Sequence, residues 1–130
     1  MEIQAAQELC NRWLAAWTGN RPDKLIEFYT SDAFYSDHPA HRDGFSGHAQ
    51  ILPYFKSLLA ANPQWKWESV EIFPTDKGFT LKWKATIPAG NTTVIEYGVD
   101  IVEVADGKIT RNEVYFDRTA LLKAAGRKLQ

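Results

Sequence analysis

Apolar side chains return at helical spacing from Ile3 to Trp17, as Ile3, Ala6, Cys10, Trp13 and Trp17, and the run stops at Thr18-Gly19. This predicts a first amphipathic helix. A second, shorter helix is expected directly after it. Asn20 can cap it, Pro22 suits its first turn, Asp23 favours the positive end of its dipole, and Leu25, Ile26, Phe28 and Tyr29 supply a buried face. Ala33-Phe34-Tyr35-Ser36 reads as a short strand, and the polar stretch from Asp37 to Gly47 as a loop. A third helix carries Ile51, Tyr54, Phe55, Leu58 and Leu59 on one face. Pro53 either kinks it or delays its start, and Asn62-Pro63 stops it.

From Trp65 the period changes to two, most cleanly in Phe79, Leu81, Trp83, Ala85 and Ile87, with Thr80, Lys82, Lys84 and Thr86 between them. Turn residues divide this half at Asp76-Lys77-Gly78, Pro88-Ala89-Gly90-Asn91 and Asp106-Gly107, the last a two-residue hairpin signal. Four antiparallel strands in a meander follow from this punctuation. The strand from Val94 to Val104 is mostly apolar on both faces, so both faces are expected to be covered. A last helix is predicted from Asp117 to Ala125, capped by Asp117 and closed by Gly126. The order is that of an α+β protein with helices on one face of an antiparallel sheet.

Length and composition narrow the function classes. The 130 residues suit one domain spanning 1–130, and no repeat, linker or low-complexity stretch divides them. A net charge of -1 lacks the basic field that nucleic acid or an anionic membrane demands, so neither is expected as a partner. No apolar run approaches the roughly 18 residues of a membrane span, and Met1-Glu2-Ile3-Gln4 lacks a basic leader, which predicts a cytoplasmic protein. The single cysteine, Cys10, lies on the apolar stripe of the first helix and reads as a core residue.

The order of elements, together with Phe28-Tyr29-Thr30-Ser31-Asp32-Ala33, Gly47-His48-Ala49-Gln50-Ile51, Val99-Asp100-Ile101 and Asp106-Gly107-Lys108-Ile109 leading to Tyr115-Phe116-Asp117, resembles the nuclear transport factor 2-like superfamily, and especially its SnoaL-like branch. The resemblance covers nearly the whole chain. It implies a cystatin-like cone in which a strongly curved sheet wraps three to four helices around a pocket, and a homodimer through the outer sheet face. Within the superfamily, ketosteroid isomerase works with one general-base carboxylate and one carboxylic acid kept protonated beside a tyrosine. Asp37 stands where the base would be and Asp100 where the protonated acid would be. The tyrosine position falls on Trp13, whose indole has no acidic hydroxyl, so steroid isomerisation itself is not implied. Asp117 matches an acidic residue that SnoaL-type cyclases and limonene-epoxide hydrolases keep at the end of the last strand. Gly98 replaces the arginine that the hydrolases use, which argues against epoxide hydrolysis.

These candidates have plainer readings too. Asp100, between Gly98 and Val102 on one strand face, is either a desolvated acid or half of a buried ion pair. In the first case Asp100→Asn keeps or raises stability. Asp37 before His38-Pro39 can simply end a strand, and Asp117 can be a helix cap. His38, His41 and His48 share a segment with two carboxylates, but the loop-like stretch is read without a metal, His38 or His41 serving at most as a proton shuttle. Trp13, Trp17, Tyr35, Phe55, Trp83 and Tyr115 are expected to shape the pocket, with Gly98 leaving room beside Asp100. The resulting expectation is cofactor-independent proton transfer, isomerisation or cyclisation on a small apolar carbonyl compound. The alternatives are a non-catalytic binder of an apolar metabolite and a dimeric interaction domain.

Overall fold

A computed structural model describes residues 1–124. Helix α1 (Ile3–Thr18) buries Ala6, Leu9, Cys10, Trp13, Leu14, Ala16 and Trp17, the face its spacing predicts, while Ile3 at its head stays exposed. A short helix α2 (Pro22–Leu25) runs into a 3-10 turn (Ile26–Phe28). Asn20 does not cap it. It takes a left-handed conformation with φ 55° and donates its side-chain amide to the Leu59 carbonyl at 2.7 Å, tying this corner to the next helix. That helix, α3 (His48–Ala61), runs through Pro53 without a delayed start and buries Ile51, Phe55 and Leu59.

The strands are β1 (Tyr29–His38), β2 (His41–Ser46), β3 (Lys66–Pro74), β4 (Gly78–Ala89), β5 (Thr92–Ala105) and β6 (Lys108–Tyr115). They form one curved sheet in the order β2-β1-β6-β5-β4-β3. The β3 to β6 meander is antiparallel throughout, and Asp106 and Gly107 both take positive φ, 52° and 78°, the geometry of a tight primed hairpin turn. The predicted short strand is longer, and it pairs parallel with β6. The predicted loop from Asp37 to Gly47 is instead a hairpin, β1 turning into the edge strand β2. Its polar composition is that of an edge, where charges discourage further pairing, and not that of an irregular loop. Gly44 is required there: at φ 71° a Cβ would lie 2.5 Å from the Phe34 ring and 2.6 Å from the Tyr35 carbonyl.

A last helix, α4 (Thr119–Ala124), starts two residues after Asp117. Its predicted closing residues, Ala125 and Gly126, lie outside the described residues. The helices cover the concave face of the sheet. On the convex face Ile95 and Tyr97 of β5 stay about half exposed, at 51% and 53%, so the described residues do not supply the cover expected for that side. No helix among the described residues is long and apolar enough to cross a membrane.

Candidate functional site

Residues facing each other across neighbouring strands share a face of the sheet, so the register alone places the main groups. Asp37 of β1 faces Val114 of β6, Val114 faces Asp100 of β5, and Asp100 faces Leu81 of β4. The next row is Tyr35, Asn112, Val102 and Phe79. Both rows point into the concave side. With β6 between them, the backbones of Asp37 and Asp100 stand about 10 Å apart, at two strand spacings. Both carboxylates are buried, at 1% and 5% exposure.

Between them lies a cavity of about 380 Å³. Trp17, Trp65, Trp67, Trp83 and Phe116 make its apolar walls, and Tyr35, Asp37, Asp100, Tyr54, His41 and Arg118 bring polar atoms to it. Its size and few convergent polar groups are those of a small-molecule pocket. The wall is an aromatic stack: Trp17 meets Phe55 edge-on at 5.0 Å and Trp67 at 5.5 Å, and Trp83 packs on Phe116 at 5.3 Å.

The two carboxylates have different surroundings. Asp100 accepts the Trp83 indole N–H on Oδ1 at 2.7 Å and the Asn112 amide on Oδ2 at 3.0 Å. Burial raises its pKa to about 7; the two donors pull it back down, and the charge of Asp37 pushes it up. Asp37 has a hydroxyl and a cation beside it. Tyr54 donates to its Oδ2, and an Arg118 guanidinium nitrogen lies 3.6 Å from Oδ1. That contact is too long for a hydrogen bond, and Oδ1 is buried at the cavity with no hydrogen-bond partner among the described residues. Burial also raises the hydroxyl pKa of Tyr54 and Tyr35, in both cases reinforced by Asp37.

Asp100 carries a consequence for stability. Its folded pKa lies above the ordinary carboxylate value, so between about pH 4 and 7 the folded chain holds a proton that the unfolded chain has lost. Stability is therefore expected to fall as pH rises through that window, by about 1.4 kcal/mol per unit, and to level off above it. Urea melts from pH 4 to 8 measure the slope, and Asp100→Asn removes it. The expectation that Asn keeps full stability is revised by the two donors: its own N–H2 must face one of them, so the variant is less stable than the parent at pH 4.

The structure gathers Asp100, Asp37, Trp17, Tyr35 and Trp83 at the cavity. The other expected residues lie elsewhere. Trp13 is wholly buried with its indole on the Tyr29 hydroxyl, and Phe55 is core behind Trp17 and Tyr35. Gly98 leaves room for Trp83 and not for a ligand, since a Cβ would sit 2.1 Å from that ring. His38 and Tyr115, paired across β1 and β6, stack on each other at 4.4 Å, and Tyr115 is exposed. Asp117 is exposed and accepts the Thr119 N–H at 2.9 Å in a turn just ahead of α4, which holds its carboxyl below the ordinary range.

The three histidines are separated. His41 meets Tyr54 edge-on at 5.0 Å at the cavity, and His48 bonds the Tyr29 carbonyl at 2.8 Å. Among the described residues no three His, Cys, Asp or Glu side chains cluster as metal ligands do. Sequence reasoning missed Tyr54, Arg118 and Asn112. The alternation Asn112, Val114, Phe116, Arg118 is the signal that would have found two of them, as a period of two continuing past the strand end. Tyr54 was visible only as part of an apolar helix face.

Residues 10–112 match the model of the SnoaL-like domain. No curated protein matches the chain. Solved structures do. A Catenulispora acidiphila protein with a ketosteroid isomerase-like fold, in complex with trimethylamine, superposes with a TM-score of 0.82 at 20% identity, over 93% of this chain and 94% of that one. A candidate isomerase from Bacillus subtilis gives 0.83 at 16% identity, over 99% of each chain. A candidate SnoaL-like polyketide cyclase from a Jannaschia species gives 0.79 at 15% identity, over 97% of this chain and 94% of that one. At these identities the likeness is one of fold.

Proposed function

The chain belongs to the SnoaL-like family of the nuclear transport factor 2-like superfamily, and from that membership and the cavity we propose a cofactor-independent enzyme that moves a proton on an apolar, ring-bearing carbonyl compound. One observation carries the reading: two buried carboxyl groups face the same aromatic cavity from opposite sides of Val114, in environments that push their roles apart.

In the proposed reaction the substrate ring lies against Trp17, Trp67 and Trp83. The C–H bond beside its carbonyl breaks, and the proton goes to Oδ1 of Asp37, the oxygen with no hydrogen-bond partner among the described residues. The electron pair becomes the new C=C bond while the carbonyl electrons move to oxygen, where the acid form of Asp100 holds the developing charge by a hydrogen bond. Returning the proton to another carbon is isomerisation. Attack of the enolate carbon on a second carbonyl of the same molecule is cyclisation.

A panel of cyclic ketones and aromatic diketones in D2O tests this. Loss of the α-proton NMR signal faster than in buffer supports it. Compounds that quench tryptophan fluorescence, showing that they bind, yet exchange no faster than in buffer would make the pocket a store for an apolar metabolite.

We further propose that the protein is a homodimer. The support is the β5 stripe Ile95, Tyr97, Val99 and Ile101 on the convex face, with Tyr97 beneath the Lys82 ammonium at 5.6 Å and Ile95 and Tyr97 half exposed. Sedimentation at tens of micromolar, roughly where a standard interface is saturated, is expected to give twice the chain mass. Tyr97→Glu is expected to give monomer.

A further inference from the structure

Behind Asp100 runs a line of buried side chains that the proposed chemistry does not use. The Trp13 indole N–H donates to the Tyr29 hydroxyl at 3.1 Å, the Tyr29 hydroxyl to Oδ1 of Asn112 at 2.8 Å, and Nδ2 of Asn112 to Oδ2 of Asp100 at 3.0 Å. Trp13, Tyr29 and Asn112 are all wholly buried. They come from α1, β1 and β6, so three separate elements converge on one carboxyl of β5.

The direction of this line follows from its first member. An indole nitrogen can only donate. The Tyr29 oxygen therefore accepts from Trp13 and spends its single proton on Asn112. That proton needs an acceptor, which sets Oδ1 of Asn112 toward Tyr29 and leaves its N–H2 toward Asp100. On the other side Trp83 is again an indole, again a donor. Asp100 thus meets a donor on each oxygen, and neither partner can take a proton from it.

We propose that Trp13, Tyr29 and Asn112 form a one-way hydrogen-bond relay that positions Asp100, closing its Oδ2 from behind as the Trp83 indole closes Oδ1, so that its acid proton can serve only an acceptor in the cavity. This rests on Asp100 acting as the acid, and it narrows the ligand class. The group seated against Asp100 is an acceptor, a carbonyl or phenolate oxygen or the lone pair of an amine, since both fixed partners of the carboxyl are donors. Tyr29 and Asn112 are then positioning residues. The titratable groups that face Asp100 are Asp37, Tyr29 and Tyr35 from β1 and Cys10 from α1; burial, with Asp100 itself adding to it, pushes the Cys10 thiol up to about 12.

The test is a carbon-detected NMR titration of the Asp100 carboxyl in the whole protein, with side-chain N–H signals followed alongside. In the parent, the Asn112 amide and the Trp83 indole N–H are expected to move together at the Asp100 midpoint, because both donate to the group that ionises. In Tyr29→Phe the Asn112 amide is no longer held. Its oxygen can turn to accept the acid proton, and the Asp100 midpoint is expected to rise by roughly 0.5 to 1 unit, the equivalent of one neutral hydrogen bond.

A folded Tyr29→Phe with an unchanged midpoint overturns the relay, as do Asn112 amide signals that stay still while Asp100 titrates. The second readout uses the parent alone and decides the matter if the variant does not fold. A raised parent midpoint that ignores Tyr29→Phe removes the relay and leaves the acid role standing. A parent midpoint below the ordinary carboxylate range removes both.

Discussion

Asp37→Asn is expected to slow α-proton exchange by about 10²- to 10⁴-fold, the usual contribution of a positioned general base. The substitution keeps size and leaves an oxygen for the Tyr54 hydroxyl, so the pocket keeps its shape. What disappears is the basic Oδ1 beside Arg118, which an amide replaces with either a non-basic oxygen or an N–H2 group. Binding of the same ketones, followed by tryptophan quenching, is expected to change far less than the rate, because the ring contacts Trp17, Trp67 and Trp83 remain. A variant that still exchanges within tenfold of the parent would move the base elsewhere, with His41 the next candidate at the cavity.

Gly98→Ala is expected to cost roughly 3 kcal/mol, a large loss for one methyl group. Gly98 faces Trp83 across β4 and β5, and the indole lies flat over the missing side chain. An added Cβ would be 2.1 Å from Cζ2 and 2.4 Å from Cη2. Trp83 cannot swing freely, since Phe116 packs on it at 5.3 Å and its N–H is committed to Asp100. Overpacking accounts for about 1 to 3 kcal/mol, and breaking the bond to Asp100 adds to it above pH 7, where Asp100 is charged. Urea melts at pH 5 and 8 are expected to show the larger loss at the higher pH. A loss under about 1 kcal/mol with the Trp83 indole signal unmoved would mean that β5 yields instead.

Gly98 also illustrates where sequence reading succeeds and where it stops. Its strand, its face and its neighbours Asp100 and Val102 follow from a period of two, and all were legible. Which object fills the space above it depends on the register of β4 against β5, and no local pattern encodes that. The same holds for the carboxylates. Asp100 was legible as a polar residue on an apolar row, and Asp37 through its family context, but their common layer depends on β1 lying parallel to β6, a pairing between distant segments. The β1-β2 hairpin was lost for another reason: an edge strand facing solvent is written in the same polar residues as a loop. Asp117 was legible in both of its readings, and the Thr119 bond gives it a turn-forming role one residue ahead of the cap position.

The parallel pairing of β1 with β6 also sets when the site can exist during synthesis. Asp37 emerges early, and the strand that holds it in place is the last of the sheet. Until Lys108–Tyr115 has left the ribosome, β2 is the one strand partner β1 can have, and the β6 side of Asp37 is uncovered. Such a non-local closure carries a loop-entropy cost before any contact offsets it, which places this step late and makes it slow among the folding events. A chain stopped before β6 would retain helix α1 and the β3-β4-β5 hairpins, yet it would lack Asn112, Val114 and the strand that joins the two halves of the site.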